Sequence, residues 1–240
     1  MKEQIFTERS VSLVNRNEST PILTEFWTCP VAPGSAAPAA YLRMMQDVGE
    51  QHLAACGYPM KDMLARGESM MLSRSALRIL LPGELPDRAD TRQFAQHGVR
   101  ASRVFEFYRG SMPVAEAINE CFCISLGSRR IFRPVWLSGA GEPFTPQFIA
   151  LERLSAPASG TDCGECTVQP DMIDYNGHVN NACYADFVQT ALQTAQSPRE
   201  LHLHYEHELL PGSTFRLFRS GELIWGAQGG HVAFLARAVL

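Results

Sequence analysis

The five residues Ile-Leu-Leu-Pro-Gly at 79–83 recur as Glu-Leu-Leu-Pro-Gly at 208–212, and this repetition organises the whole chain. Each copy follows a run that is typical of a β-strand, at 70–78 and at 200–207. Leu-Pro-Gly is the turn that ends each strand, because proline has no N–H to donate to a sheet ladder. A motif that returns in the same order relative to other elements indicates an internal repeat.

A helix is predicted before each of these strands. The first runs over 37–55, where apolar residues at helical spacing form a broad stripe. The second runs over 181–195 and begins with an asparagine as its N-cap.

Three more strand-like runs follow each Leu-Pro-Gly turn. Gly110-Ser111 and Gly229-Gly230 are predicted hairpin turns. The runs lie at 91–96, 102–109 and 113–125 in the first half and at 213–219, 222–227 and 231–239 in the second.

These elements predict an α+β fold of two tandem repeats, each an antiparallel sheet wrapped around a long central helix. A sheet with period-two hydrophobicity needs one buried face, and a single long apolar helix covers it. We place the join between Pro134 and Pro146, which predicts an N-terminal repeat at 1–140 and a C-terminal repeat at 141–240. The stretch 155–164 is predicted to be a loop within the second repeat.

Composition excludes several classes of protein. The 240 residues are 45% hydrophobic and 19% charged, which is typical of a folded chain. A net charge of −4 argues against nucleic-acid binding, and no window approaches the roughly 18 apolar residues of a membrane helix. The first residues lack a signal-peptide pattern, so we expect a cytoplasmic protein.

Metal and disulfide chemistry are not expected. Seven cysteines are an odd number, which argues against a disulfide framework. Cys163 and Cys166 form a single Cys-x-x-Cys with no second pair to complete a zinc site. His202 and His204 share a strand face that we expect to be partly exposed, and no nearby ligand spacing completes a metal set. No metal and no cofactor are therefore predicted.

A polar cluster precedes the second helix. Asp174, Asn176 and His178 are spaced by two, so in an extended segment their side chains point to one side. The unpaired N–H groups at a helix N-terminus can stabilise a developing oxyanion. The residues predicted to supply these backbone donors are Gly177, Val179, Asn180 and Asn181.

The repeat provides an internal control for this cluster. Aligning Tyr184 with Tyr41 places apolar or small residues opposite the polar set, and aligning the Leu-Leu-Pro-Gly runs places Ile79 opposite Glu208. Because the first copy folds without these polar residues, catalysis is the simplest reason for them. The alternative is that Asp174 and Asn176 make turn and capping contacts and that Glu208 is a solvated strand-end residue.

The stretch Asp-x-Asn-x-His-Val-Asn-Asn at 174–181 resembles the acyl-acyl-carrier-protein (acyl-ACP) thioesterases of plants and bacteria. The pattern Leu203-x-Tyr205-x-x-Glu208 is similar to the family's strand leading to its catalytic carboxylate. The resemblance implies a double hotdog fold and catalytic roles for Asp174, Asn176, His178 and Glu208. Plant members carry cysteine where Leu209 stands here, so a cysteine nucleophile at that position is excluded.

Two mechanisms remain open at this point. The sequence has no Gly-x-Ser-x-Gly elbow, so a carboxylate must act. In the first scheme, which the sequence slightly favours, Glu208 is the general base on water, Asp174 orients Asn176 or His178, and Asn176 positions the water. In the second scheme Asp174 is the base or the covalent nucleophile.

The expected substrate is fatty acyl-ACP, which the enzyme would hydrolyse to free fatty acid and holo-carrier protein. Met44, Met45, Met70 and Met71 are candidates for lining the acyl pocket. Candidate docking patches for the acidic carrier protein are Arg129, Arg130 and Arg133, or Arg74 and Arg78.

Three alternatives remain: a hotdog thioesterase acting on acyl-coenzyme A, a hotdog dehydratase of 3-hydroxyacyl thioesters, and a non-catalytic acyl-binding protein. The molecule is expected to be a monomer or a homodimer.

Overall fold

Eleven strands form one continuous antiparallel sheet in the computed structural model, which describes residues 27–31, 34–134, 149–175 and 177–240. The first half contributes β1 (Trp27–Pro30), α1 (Pro38–Ala55), α2 (Met60–Ala65), β2 (Glu68–Ile79), β3 (Arg88–His97), β4 (Arg100–Arg109), β5 (Met112–Ser125) and β6 (Arg130–Phe132). The second half contributes β7 (Thr161–Thr167), α3 (Cys183–Leu192), β8 (Glu200–Tyr205), β9 (Thr214–Ser220), β10 (Leu223–Gln228) and β11 (His231–Val239).

The two halves meet at one pair of strands. The strand order is β1-β3-β4-β5-β2-β8-β11-β10-β9-β7, and β6 pairs with β5 outside this path. Strands β2 and β8 are antiparallel, with Leu77 opposite Leu201 and Ser75 opposite Leu203. The repeat read from the sequence is therefore also a repeat in space.

Each half buries one helix against its part of the sheet. Helix α1 begins with a proline, which suits the first helical position because its missing N–H is not needed there. Its side chains Tyr41, Met45 and Val48 are almost fully buried. Helix α3 buries Tyr184 and Phe187, which contact the sheet through edge-to-face aromatic packing.

The outer face of the sheet carries ion pairs where the halves join. Arg74 binds Glu120 with an N–O distance of 2.8 Å, and Arg78 lies 3.2 Å from Glu116 and 2.9 Å from Glu200. These two arginines are therefore held by carboxylates within the fold, which argues against a role in carrier-protein docking.

Most predicted elements are confirmed, including the double hotdog architecture. The prediction of a loop at 155–164 is wrong at its end, because β7 begins at Thr161 and pairs with β9. The second helix is shorter than predicted, and its last residue is followed by Gln193 in the left-handed conformation. The domain boundary between 140 and 141 lies outside the described residues and stays a prediction.

No helix in the described part of the chain has both the length and the hydropathy that crossing a bilayer would require.

The hydrophobic core of the second half offers a direct test of packing. A Cβ added at Gly226 of β10 would overlap the ring of Phe234 and approach Phe215 to 3.1 Å. We expect Gly226→Ala to destabilise the protein by about 1–3 kcal/mol, because strained overpacking in a dense core costs this much. Gly127→Ala is the matched control, since a Cβ there meets nothing within 4 Å. Equal urea midpoints for both variants would contradict this account.

Glu116 provides a test of electrostatics. Burial raises the pKa of Glu116 to about 7, and the nearby charges of Glu106 and Glu200 add to the rise while Arg78 opposes it. The folded protein then binds a proton that the unfolded chain releases near pH 4.5, so this residue's contribution to stability falls as pH rises towards 7. Glu116→Gln replaces the ionisable carboxyl group by a neutral amide and so removes this loss of stability at higher pH.

We therefore expect the melting temperature of Glu116→Gln, relative to the parent protein, to increase from about pH 5 to about pH 8. The same difference for Glu200→Gln should stay nearly constant over this range, because a lowered pKa confines that residue's own titration to pH values below about 4.5. Burial raises the pKa of Glu200, but hydrogen bonds from His202 and Arg78 outweigh it and leave that pKa lowered. Parallel pH profiles for the two variants would refute the assignment.

Candidate active site

The polar loop, which comprises the described residues 173–175 and 177–181, is a tight reversal of the chain. Ile173 and Val179 form an isolated antiparallel bridge, and the Asp174 N–H donates to the His178 carbonyl at 2.9 Å. Gly177, with φ of 81°, supplies the positive dihedral angle that the turn requires. The prediction of an extended segment is therefore wrong, although Asp174 and His178 still lie close because they face each other across the turn.

His178 and Glu208 form the centre of the site. The His178 Nε2 atom lies 3.3 Å from Glu208 Oε2, and each side chain is about one-third exposed, at 31% and 33%. The N–H of Val179 donates to the Leu209 carbonyl at 3.2 Å, which ties the polar loop to the segment that carries Glu208. This backbone bond holds the imidazole beside the carboxylate.

Tyr184 is influenced by the charges of both predicted carboxylates and was not among the predicted site residues. Burial raises the pKa of Tyr184, and the charges of Glu208 and Asp174 raise it further, while a hydrogen bond with the Leu209 backbone opposes the shift. Asp174 and Glu208 therefore both act on one hydroxyl group. Asn176, the remaining predicted member of the set, lies outside the described residues.

The backbone donors proposed for an oxyanion are largely occupied. The N–H groups of Gly177, Val179 and Asn180 donate to the carbonyls of Asp174, Leu209 and Met172, respectively. For these three residues the prediction of free donors does not hold, because the turn uses their N–H groups. The Asn181 N–H has no backbone acceptor within the described residues, so it is the remaining candidate of the four.

Helix α1 of the first half supports the polar loop. The Asn180 amide donates to Gln46 Oε1 at 3.0 Å, and Asn180 Oδ1 accepts the N–H of Ala182 at 2.9 Å. Tyr175 donates through its hydroxyl to Glu50 Oε1 at 2.7 Å, and Gln46 donates to the same oxygen at 3.2 Å. Sequence analysis missed this support, because no local pattern relates residues more than a hundred positions apart.

A cavity of about 140 Å³ lies between α1 and the first half of the sheet. Asp174, Tyr175, Asn181 and Tyr205 line the part of it that belongs to the site. Its apolar lining comes from the first half and consists of Leu42, Met45, Leu53, Met60, Met70, Leu72 and Phe105.

Two of the four predicted pocket methionines line this cavity. Met45 and Met70 do so, whereas Met44 packs against the hydrophobic core and Met71 does not contribute to the lining. Neighbouring residues of a strand point to opposite faces, so Met70 and Met71 could not both face the helix.

The strand histidines are buried, which corrects the expectation of a partly exposed face. His202 is 2% exposed and His204 is 6% exposed. Glu152, Glu200 and His202 bring possible metal-ligating atoms within 4.8 Å of one another. The Nη2 atom of Arg237, however, lies 2.7 Å from Glu152 and 2.6 Å from Glu200. The guanidinium of Arg237 therefore already neutralises these carboxylates.

Comparison with known proteins shows which family and which folds this chain resembles. Residues 161–231 match the family model described as acyl-ACP thioesterase C-terminal domain. Among curated proteins, no sequence matches this chain.

Solved structures share the fold over most of the chain. An acyl-ACP thioesterase from Bacteroides thetaiotaomicron is 16% identical with a TM-score of 0.72, and the match covers 90% of this chain and 96% of that one. A 12:0-ACP thioesterase from Umbellularia californica is also 16% identical, with a TM-score of 0.67 and the same two coverages.

A MaoC-like dehydratase from Phytophthora capsici is more distant, at 14% identity and a TM-score of 0.50, covering 71% of this chain and 72% of that one. This chain thus matches the acyl-ACP thioesterase family model over residues 161–231 and shares the double hotdog fold with solved acyl-ACP thioesterases.

Proposed function

We propose that this protein hydrolyses the thioester of fatty acyl-ACP and releases free fatty acid and holo-carrier protein. The observation that carries the proposal is the position of the polar loop. Asp174 and Asn181 line one part of a cavity whose remaining walls are largely apolar. His178, on the same polar loop, contacts Glu208. An acyl chain in the cavity would place its thioester beside these groups.

The geometry supports a specific division of roles. Of the two predicted catalytic carboxylates, Asp174 lines the cavity, whereas Glu208 contacts His178 and lies 3.8 Å from the guanidinium of Arg129. We therefore assign Asp174 as the group that activates water or attacks the carbonyl, and Glu208 as the partner that orients His178. The Asn181 N–H is the proposed donor to the carbonyl oxygen.

This assignment reverses the preference from sequence, which placed Glu208 first as the base. A single turnover in labelled water distinguishes the chemical routes. Label in the Asp174 carboxylate would identify covalent attack by Asp174, whereas label only in the released acid would identify direct attack by water.

We propose the hairpin between β5 and β6 as the docking surface for the carrier protein. Arg129 and Arg130 are exposed there, with Arg133 just beyond β6, and the contact of Arg129 with Glu208 places the hairpin beside the site. An acidic carrier protein would meet a cationic surface at the point where its acyl group enters.

Other substrates and roles give distinct results. An acyl-coenzyme A thioesterase would turn over one acyl group faster on coenzyme A than on carrier protein. A dehydratase would form an enoyl product, and an acyl-binding protein would release no thiol. The cytoplasmic location and the choice between monomer and homodimer stay predictions.

Loss of either carboxylate should reduce thiol release. We expect Asp174→Asn to lower kcat by roughly 10²–10⁴, the range that general acid–base groups contribute. Glu208→Gln should also lower kcat, because His178 loses the carboxylate that orients it. Asp171→Asn and Glu206→Gln are matched controls, since both residues are exposed neighbours on the same segments. If the variants retain the activity of their controls on acyl-ACP, the site assignment fails.

The support from α1 should act on turnover rather than on binding. Gln46→Leu removes the acceptor of the Asn180 amide, and we expect kcat to fall about tenfold, which corresponds to about 1.4 kcal/mol. KM and the melting temperature should change little, because the backbone bonds of the polar loop remain. Gln51→Leu, at an exposed position of the same helix, should have no effect. A fall in melting temperature with unchanged kcat would assign Gln46 a purely structural role.

A further inference from the structure

A row of polar side chains crosses the sheet of the first half beneath α1. Its members are direct cross-strand partners on β3, β4, β5 and β2, and we call them the polar row: Gln93, Arg103, Asn119 and Ser75.

The rows on either side are mainly apolar. One contains Phe105, Ala117 and Leu77, and the other contains Ala101, Cys121 and Leu72. A hydrophobic core does not require such a polar row, so its presence calls for an explanation.

Arg103 is the charged member of the polar row, and it is only 6% exposed. Its Nη1 atom contacts His52 Nδ1 at 2.7 Å and Thr91 Oγ1 at 3.4 Å, and its Nη2 atom contacts Gln93 Oε1 at 3.5 Å. Among the described residues, no carboxylate lies within ion-pair distance of this guanidinium. Arg103 thus differs from Arg74 and Arg78, which both have acidic partners.

The neighbours of Arg103 do not supply the missing negative charge. Burial and, to a smaller extent, the charge of Arg103 together lower the pKa of His52 to about 3, so the imidazole is neutral. Burial raises the pKa of Cys121 to about 12, so its thiol keeps its proton. A buried charge without a counter-charge is costly, which leaves the guanidinium suited to an anion from outside the chain.

Three members of the polar row line the cavity of the candidate active site. Arg103, Asn119 and Ser75 share it with Asp174 and Asn181. Ser75 lies on β2 next to β8, and Arg103 lies two strands further away, which is about 10 Å at the usual strand spacing. The proposed reacting groups therefore lie at one part of the cavity, and the buried guanidinium of Arg103 lies at another.

Asn119 adds hydrogen-bonding capacity beside the cation. It is the direct partner of Arg103 in the register of β4 and β5, it lines the cavity, and the NH2 group of its amide is a donor that a carboxylate can accept from. Gln93, on the other side of Arg103, is 1% exposed, and its amide nitrogen has no hydrogen-bond partner within the described residues. A saturated hydrocarbon tail would leave these polar groups unsatisfied.

We propose that this cavity binds acyl chains that carry a carboxylate at their distal end, and that Arg103 is the residue that selects them. This inference rests on the proposed thioesterase function. The thioester lies beside Asp174, the methylene groups contact the apolar wall formed by Met45, Leu53 and Phe105, and the distal carboxylate pairs with the guanidinium. An Arg–carboxylate pair with charge-assisted hydrogen bonds then neutralises the buried cation.

The first experiment compares two carrier-protein thioesters of equal chain length, one with a methyl end and one with a distal carboxylate. We expect the parent protein to have a kcat/KM at least about tenfold higher for the carboxylated chain, the scale of one charge-assisted hydrogen bond. Arg103→Met, which keeps the apolar stem, should reverse this preference. Arg100→Met, on the exposed end of the same strand, is the control and should retain it. Equal or higher kcat/KM for the methyl-ended chain in the parent protein would overturn the proposal.

The second experiment separates this inference from the proposed function and does not depend on the folding of Arg103→Met. The melting temperature of the parent protein and of Asn119→Leu is measured with free dicarboxylic acids and with monocarboxylic acids of equal length. Greater stabilisation of the parent by the dicarboxylic acids, reduced in Asn119→Leu, supports the site even if no acyl-ACP is hydrolysed. Equal stabilisation by both classes of acid rules out recognition of the distal carboxylate.

Discussion

The pairing of β2 with β8 is the constraint on which the rest of the structure depends. The antiparallel ladder that sets Leu77 opposite Leu201 turns two half-sheets into one. Strand β2 supplies Met70, Leu72 and Ser75 to the cavity, and β8 leads towards Glu208. Because strand register is determined residue by residue, this ladder fixes where the cavity of one repeat lies relative to the polar loop of the other. Neither repeat holds both parts of the site.

The two repeats have diverged around the same scaffold. In the second repeat, α3 packs its aromatic side chains densely against the sheet, and Gly226 leaves room for the ring of Phe234. In the first repeat, α1 stands over a cavity, and the side chains of Gln46 and Glu50 support the polar loop. A filled core and a partly open one thus follow from the same order of helix and strands. In the function that we propose, the open repeat would accept the acyl chain and the filled repeat would hold the reacting groups in position.

Arginine side chains have different surroundings on the outer face of the sheet and on the face covered by α1. On the outer face Arg74, Arg78 and Arg237 pair with carboxylates, and the charges balance within the chain. Beneath α1, Arg103 is buried among neutral groups, where an unbalanced charge costs free energy unless a ligand supplies its partner. Arginine side chains therefore pair within the fold on the outer face, whereas we propose that Arg103 pairs with the carboxylate of a ligand.

Local patterns in the sequence determined the repeat, the strands, both long helices and the polar residues at 174–181. Helical and strand periodicities, and the turns formed by Pro and Gly, act over a few residues and can be read directly from the chain. The sequence could not reveal that Gly177 reverses the polar loop and that its backbone N–H groups are already used, since that depends on contacts with Leu209 and Met172. Nor could it reveal Gln46, Glu50 or the polar row, which are brought into place by hydrogen bonds and strand register between distant segments. The tertiary structure alone decided which side chains share the cavity, because a cavity is formed only when separate elements pack together.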